Sequence, residues 1–296
     1  MNFGKVDDPT VVDFSIPADD AATLRILERE IDDPLEVYVG CAKWNKTDLK
    51  DFYPKGTKDE LTYYSRQFNS IEMNSVFYNM PKAEQILKWK DKTPEGFKFF
   101  PKITQSITHM RRLDNVEELT KLYCDAISHF EEKLGVCFLQ LHENFGIKGF
   151  DKLKAFVSDF PKAIPLAVEV RGKEWYRDKD VWNEYCRFLE TQHTANVIVD
   201  TAGRRDMMHM RLTTSTAFIR FVGCNVDQID YHRIDDWVER IVQWNKAGLR
   251  QLSFFVHQNV EKSSPLFSAY LIGKLNKRLN LRLHVPAFAS EQKQLF

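Results

Sequence analysis

The chain has 296 residues, 43% hydrophobic and 28% charged, an ordinary globular composition with enough apolar surface for a large core. Its 42 Lys and Arg balance 42 Asp and Glu, which argues against bulk electrostatic capture of nucleic acid or of an anionic membrane, while a local basic patch stays compatible. No apolar run approaches the roughly 20 residues that cross a bilayer, and the five cysteines, odd in number and without a Cys-x-x-Cys pair, read as reduced thiols of a cytoplasmic protein.

Met1–Asp20 carries Asp7, Asp8, Asp13, Asp19 and Asp20 and no basic segment followed by an apolar one, so it does not read as a signal peptide. Residues 1–36 form an expected N-terminal extension with a helix over Ala21–Ile31. Strand-like runs then follow at Val37–Gly40, Ser70–Asn74, Phe97–Lys102, Val136–Leu141, Leu166–Arg171, Asn196–Asp200, Phe218–Gly223 and Leu252–His257. Between them, apolar residues at helical spacing predict helices over Lys58–Phe68, Val116–Leu134, Phe150–Phe160, Lys179–Thr191 and Arg233–Ala247, and Leu266–Leu279 follows the last strand. The shortest interval, between strands six and seven, holds only a brief helix around Arg205–His209.

Alternating strand and helix implies a parallel sheet. Eight such units predict an α/β fold of the (β/α)8 TIM type, one barrel domain over 37–296. A doubly wound open sheet is the rival, but the glycine-rich first turn that it usually carries is missing.

Strands buried on both faces are expected to be nearly all apolar. Here polar residues stand late in seven of the eight. The period of two sets Glu169 and Arg171 opposite Val168 and Val170, and Glu72 and Asn74 opposite Ile71 and Met73. The same counting sends Lys102, Gln140, Asp200, Arg220 and His257 toward the barrel axis at the carboxyl ends, where barrel enzymes keep their chemistry. Structural ion pairs, Glu169 with Arg171 or Lys102 and Asp200 with Arg220, are the plainer reading of any one of them. As a ring, three acids (Glu72, Glu169, Asp200) and three bases (Lys102, Arg171, Arg220) suit a small anionic or sugar-like substrate clamped by cations, with a carboxylate as general acid or base. Glu72, Glu169, Asp200 and a histidine would also serve as metal ligands. No His-x-x-x-His or Cys/His cluster supports zinc. The sequence names neither a metal nor a cofactor.

The stretches Val39-Gly40-Cys41-Ala42-Lys43-Trp44, Phe52-Tyr53-Pro54, Ile71-Glu72-Met73-Asn74-Ser75-Val76-Phe77-Tyr78, Pro94-Glu95-Gly96-Phe97, Leu139-Gln140-Leu141, Val168-Glu169-Val170-Arg171, Val199-Asp200 and Phe218-Ile219-Arg220-Phe221 resemble, in this order, domain-of-unknown-function family 72, the YecE-like proteins. The resemblance spans about Val37 to His257 and implies a TIM-type barrel without an established reaction. Its recurrent polar residues fall on Trp44, Glu72, Asn74, Lys102, His109, Gln140, Glu169, Arg171, Asp200 and Arg220. The chain departs from the family's Gly-Thr-Ser-Gly-Trp at Gly40–Trp44 and from its Gln-Leu-Pro-Pro at Gln140–Glu143.

Glu72, Glu169, His109 and Asp200 are thus the candidate catalytic residues. Trp44, Asn74, Tyr78, Lys102, Gln140, Arg171 and Arg220 are the candidate substrate-binding ones. His109 reads as a proton shuttle or, equally, as a side chain bonded to loop backbone. Trp44 and Tyr78 offer a stacking wall or plain loop packing. Cys41 reads as a small buried residue, and Met207–Met210 as apolar packing. Two further functions stay open: a nucleic-acid or phosphodiester-processing barrel, by fold analogy alone, and a non-catalytic binding protein whose ring residues saturate one another. Oligomeric state is not legible.

Overall fold

The computed structural model describes residues 4–28 and 34–288. Helix α1 (Ala21–Leu27) is capped by Asp20, whose carboxylate accepts from Ala22 N at 2.8 Å. The rest of the helix expected there, 29–31, lies outside the described residues. The strands are β1 (Glu36–Cys41), β2 (Ser70–Met73), β3 (Lys98–Pro101), β4 (Cys137–Gln140), β5 (Leu166–Glu169), β6 (Ala195–Asp200), β7 (Thr216–Gly223) and β8 (Gln251–Gln258). The helices are α2 (Glu60–Gln67), α3 (Ser75–Tyr78), α4 (Ala83–Asp91), α5 (Glu117–Ser128), α6 (Phe150–Asp159), α7 (Glu174–Arg177), α8 (Lys179–Thr191), α9 (Asp227–Ala247) and α10 (Ser264–Leu279). Each expected strand is found close to its expected bounds. Sequence periodicity missed α3, α4 and α7, and the turn between β6 and β7 is a 3-10 helix at Ala202–Met207. Among the described residues no helix is long and apolar enough to cross a membrane.

All pairings are parallel. Six strands form a curled sheet in the order β1-β8-β7-β6-β5-β4, and β2 pairs with β3 in a second, two-stranded sheet. The result is an α/β fold with a half-barrel of TIM-like character, coarser than the continuous eight-stranded ladder that the sequence suggests. The two seams differ in kind. Between β3 and β4, backbone bonds from Gly135 N to Phe99 O (2.7 Å) and from Ile103 N to Phe138 O (3.0 Å) join the strands at isolated points. Between β1 and β2, side chains replace the ladder. Asn69 donates to Val37 O at 2.7 Å and accepts from Val39 N at 3.1 Å, and the Tyr64 hydroxyl accepts from Cys41 N and donates to Ser70 O. The strands approach so closely here that a Cβ on Gly40 would sit 2.2 Å from Ser70 O.

The space enclosed is filled, not hollow. Tyr38, Phe100, Phe138, Phe218 and Phe255, from five strands of both sheets, meet with ring centroids 4.8 to 6.0 Å apart. Together with Ala167, Val197 and Val199 they form an inner core separate from the larger one between sheet and helices. The inner face is therefore the one carrying Phe100, Phe138, Ala167, Phe218 and Phe255, and the residues two further along each strand stand above this apolar plug.

The N-terminal segment packs across the connection between β6 and β7 and across α9. Gly203 N donates to Gly4 O, Arg240 holds both Asp19 and Pro17 O, and Arg211 pairs with Asp20 at 2.6 Å.

Candidate functional site

Two residues beyond the aromatic plug, the strands deliver Glu72, Lys102, Gln140, Glu169, Arg220 and His257 to one layer, and Arg171 follows β5. Arg220 lies at its centre. Its Nε and Nη2 donate to the two oxygens of Glu72 at 2.8 and 3.0 Å, and its Nη1 donates to Glu169 at 2.7 Å. Arg171 Nε donates to Glu169 at 2.5 Å, and Gln140 Nε2 spans both Glu169 oxygens at 2.9 and 3.0 Å. His257 Nε2 lies 2.8 Å from Glu72, and Asn74 Nδ2 donates to the other Glu72 oxygen at 2.8 Å. Each carboxylate thus has both oxygens occupied, and neither is exposed beyond 1%.

Burial alone would raise the pKa of these carboxyls, but the facing cations more than offset it. Arg171 and Arg220 hold Glu169 down at about 2, and Arg220 with His257 holds Glu72 well below the carboxylate range. Lys102 responds in the opposite sense. Its Nζ donates to the neutral Oε1 of Gln140 at 2.6 Å and sits 3.9 Å from the centroid of Phe77. Desolvation, then the nearby Arg220 and Arg171 charges, lower its pKa to about 7.

Above this layer opens a cavity of about 630 Å³, within the range of small-molecule sites. Asn74, Tyr78, Arg171, Arg220 and His257 contribute to its floor and wall, and Lys43, Lys50 and Lys262 stand on its rim with Asp48 and Glu261. A side recess of about 320 Å³ shares Ala42, Asn74 and Tyr78 with the main cavity and adds Trp44. Trp44 is itself braced edge-on by Trp89 at 5.9 Å.

His109 lies in a single π-type turn, Ser106–Met110, after β3, edge-on to Phe77 at 4.9 Å and to His142 at 5.1 Å. Its Nδ1 is 2.8 Å from the Thr108 hydroxyl, which is also within reach of Thr104 O. With the Thr108 proton on Thr104 O, Nδ1 donates to Thr108 and Nε2 is an acceptor; with that proton turned to Nδ1, the roles of the two nitrogens exchange. Desolvation, with the Lys102 charge nearby, lowers the His109 pKa to about 4.

Of the expected site residues, Glu72, Asn74, Lys102, Gln140, Glu169, Arg171 and Arg220 share one connected layer, and Trp44, Tyr78 and His109 surround it. Asp200 does not belong to it. Its carboxylate accepts from Trp237 Nε1 at 2.8 Å and pairs with Arg233 at 2.8 Å and with Arg205, between the sheet and α9. Ile198, with which it is in phase, packs in the helix-facing core, while Val197 and Val199 face inward. The four-ligand metal set that includes Asp200 fails for the same reason. Among the described residues no three His, Cys, Asp or Glu side chains converge as metal ligands. His257 belongs to the layer, as its phase with Phe255 implies, although the resemblance does not carry it. Phe77 and the rim lysines give no signal in the sequence.

Several known proteins are similar to this chain. The UPF0759 protein YecE of Escherichia coli (strain K12) is 26% identical over 281 residues, spanning 88% of this chain and 100% of YecE. The UPF0759 protein YunF of Bacillus subtilis (strain 168) is 28% identical over 153 residues, 47% of this chain and 52% of YunF. Crystal structures of DUF72 family proteins from Enterococcus faecalis V583 and Thermotoga maritima MSB8 each superpose with a TM-score of 0.65. The first is 18% identical and covers 84% of this chain and 99% of its own; the second is 23% identical and covers 83% and 100%. At these identities the two structures speak for the fold alone. The model of a family described as protein of unknown function DUF72 matches residues 38–292, and the chain belongs to that family.

Proposed function

We propose that the cavity binds a small anionic or sugar-like molecule and that the protein is an enzyme acting on it. The observation that carries this reading is the placing of Arg220 and Arg171 at the cavity floor, both held by buried carboxylates. A guanidinium fixed in this way is preorganised for an anion or for the oxygens of a polyol, because little side-chain freedom remains to be lost on binding. On the rim, Lys43 pairs with Asp48 at 3.2 Å and Lys262 with Asp51 at 2.9 Å, so the arginines of the floor carry the anion affinity, and Trp44 with Tyr78 gives the side recess an apolar wall for a ring or carbon chain.

Glu72 and Glu169 are positioning residues in this reading, not proton carriers. Carboxyls held so far below neutral pH are poor bases and cannot donate. His109, lowered only to about 4 against about 2 for Glu169, is the less weak proton acceptor beside the layer. The sheets fit best as one closed (β/α)8 barrel over residues 37–296, with the N-terminal segment as an extension strapped to its side. Support comes from the aromatic plug shared by both sheets and the paired seams. Five free cysteines suit a reducing, cytoplasmic setting.

A thermal-shift and calorimetric panel of phosphate, small carboxylates and sugar phosphates tests the site. At least one of these is expected to bind the wild type, and Arg171→Met should weaken it by roughly tenfold to a hundredfold, the loss of one charge-assisted contact. Absence of binding across the panel at millimolar ligand would overturn the proposal. Binding without turnover would leave a binding protein.

A further inference from the structure

The layer contains three cations and two carboxylates, and the arginines take both carboxylates. Among the described residues Lys102 makes no ion pair. Its one hydrogen bond goes to an uncharged amide oxygen, and the face of Phe77 covers it. Removal from water and the two fixed guanidinium charges beside it favour the neutral amine, against the Gln140 bond, the Phe77 face and the more weakly felt charges of Glu169 and Glu72.

We infer that Lys102 is a nucleophile that forms an imine with the carbonyl group of a small anionic oxo compound held by Arg171 and Arg220. This deepens the anion-site reading and rests on it. The Nζ lone pair attacks the carbonyl carbon, a C–N bond forms, and the carbonyl π pair moves to oxygen. A proton passes from nitrogen to that oxygen, giving a carbinolamine, and loss of one water leaves the C=N bond, so that amine plus carbonyl balances imine plus water. Lys102 is only 2% exposed and is not among the residues lining the cavity, so the reaction needs a small partner and movement of the Phe77 cover. Nearby, Arg220 and Arg171 have two uses: they receive the carboxylate or phosphate of the oxo compound, and they add to desolvation in favouring the unprotonated amine.

The test is reductive trapping on the full-length protein with glyoxylate or pyruvate and cyanoborohydride, followed by peptide mapping. Propanal serves as an uncharged control, and oxalate as an anion that cannot form an imine. A surface lysine is neutral in about one molecule in a thousand or fewer at pH 7, so Lys102 should be labelled at least ~tenfold above the average lysine. Labelling should rise to half its maximum near pH 7, fall when oxalate competes, and be weaker with propanal. Lys102→Arg should lose the site-specific adduct while still giving a thermal shift with oxalate. The wild-type map decides the matter even if that variant folds poorly. Adducts spread evenly over surface lysines, with oxalate still bound, would overturn the imine and spare the anion site. Failure of oxalate and pyruvate to bind at all would overturn both.

Discussion

Arg220 and Glu72 stand on strands that do not pair, β7 of the six-stranded sheet and β2 of the two-stranded one, yet they meet through two parallel hydrogen bonds of 2.8 and 3.0 Å. The pair ties the two sheets together at the level of the cavity floor. Truncating Arg220 leaves two buried carboxylates without their common cation, a loss that typically costs about 3–5 kcal/mol. Arg220→Met is expected to lose that much in urea denaturation, and Glu72→Gln, which keeps the shape and part of the hydrogen bonding, clearly less. Wild-type stability in Arg220→Met would mean that the pair contributes nothing to joining the sheets.

The β1–β2 seam depends on Asn69 in place of a ladder. Asn69→Ala strands Val39 N and Val37 O, and each unsatisfied buried group costs about 1–3 kcal/mol. Gly40→Ala should be at least as damaging, because its Cβ meets backbone, which has little room to move. Hydrogen exchange should localise the opening to β1 and β2 in both variants. Protection unchanged in these strands would show that the seam is held by something else.

Asp200 separates structure from function. Asp200→Asn weakens its contact with Arg233, which keeps Asp230 at 2.9 Å, so a loss of about 1.5–3 kcal/mol is expected. Anion binding at the cavity should be unchanged. A variant of normal stability that no longer binds the anion would restore Asp200 to the site.

Acid should destabilise the protein in two overlapping windows. Glu169 ionises near pH 2 in the fold against 4.5 ordinarily, so the stability it contributes is full above 4.5 and lost as pH falls toward 2. His109 ionises near 4 against 6.5, so the unfolded chain takes up its proton first, and stability falls from pH 6.5 toward 4. Urea midpoints measured from pH 7 to 3 should decline throughout. His109→Gln should flatten the upper part of the curve, and an unaltered slope there would argue against a neutral buried imidazole.

Nitrogen-15 chemical shifts of the His109 ring give an independent check. A neutral ring protonated at Nδ1 is expected at pH 7, with Nε2 at the shift of a bare acceptor. The opposite tautomer would remove Nε2 of His109 as the proton acceptor beside the layer.

Legibility in the sequence varied with how polar each strand is. In Ser70–Asn74 and Leu166–Arg171 one phase is apolar and the other charged, so the period of two sorted inner from outer face without ambiguity. In Asn196–Asp200 three consecutive aliphatic residues occupy both phases, as a strand buried on both sides requires. No contrast marks the inner face there, and the inward assignment of Asp200 failed at that strand. Helix α3 escaped because four residues cannot display a helical period. Its Phe77 therefore carried no sign of lying over Lys102.

The sequence by itself determined the alternation of strands and helices and which polar residues share a strand face, because these follow from short-range periodicity. It could not assign partners. That Arg220 takes both Glu72 and Glu169, leaving Lys102 with an amide and a ring, depends on distances across the two sheets between residues as much as 148 positions apart. Only the packed tertiary structure fixes those distances, and they decide which groups are spent in ion pairs and which remain reactive.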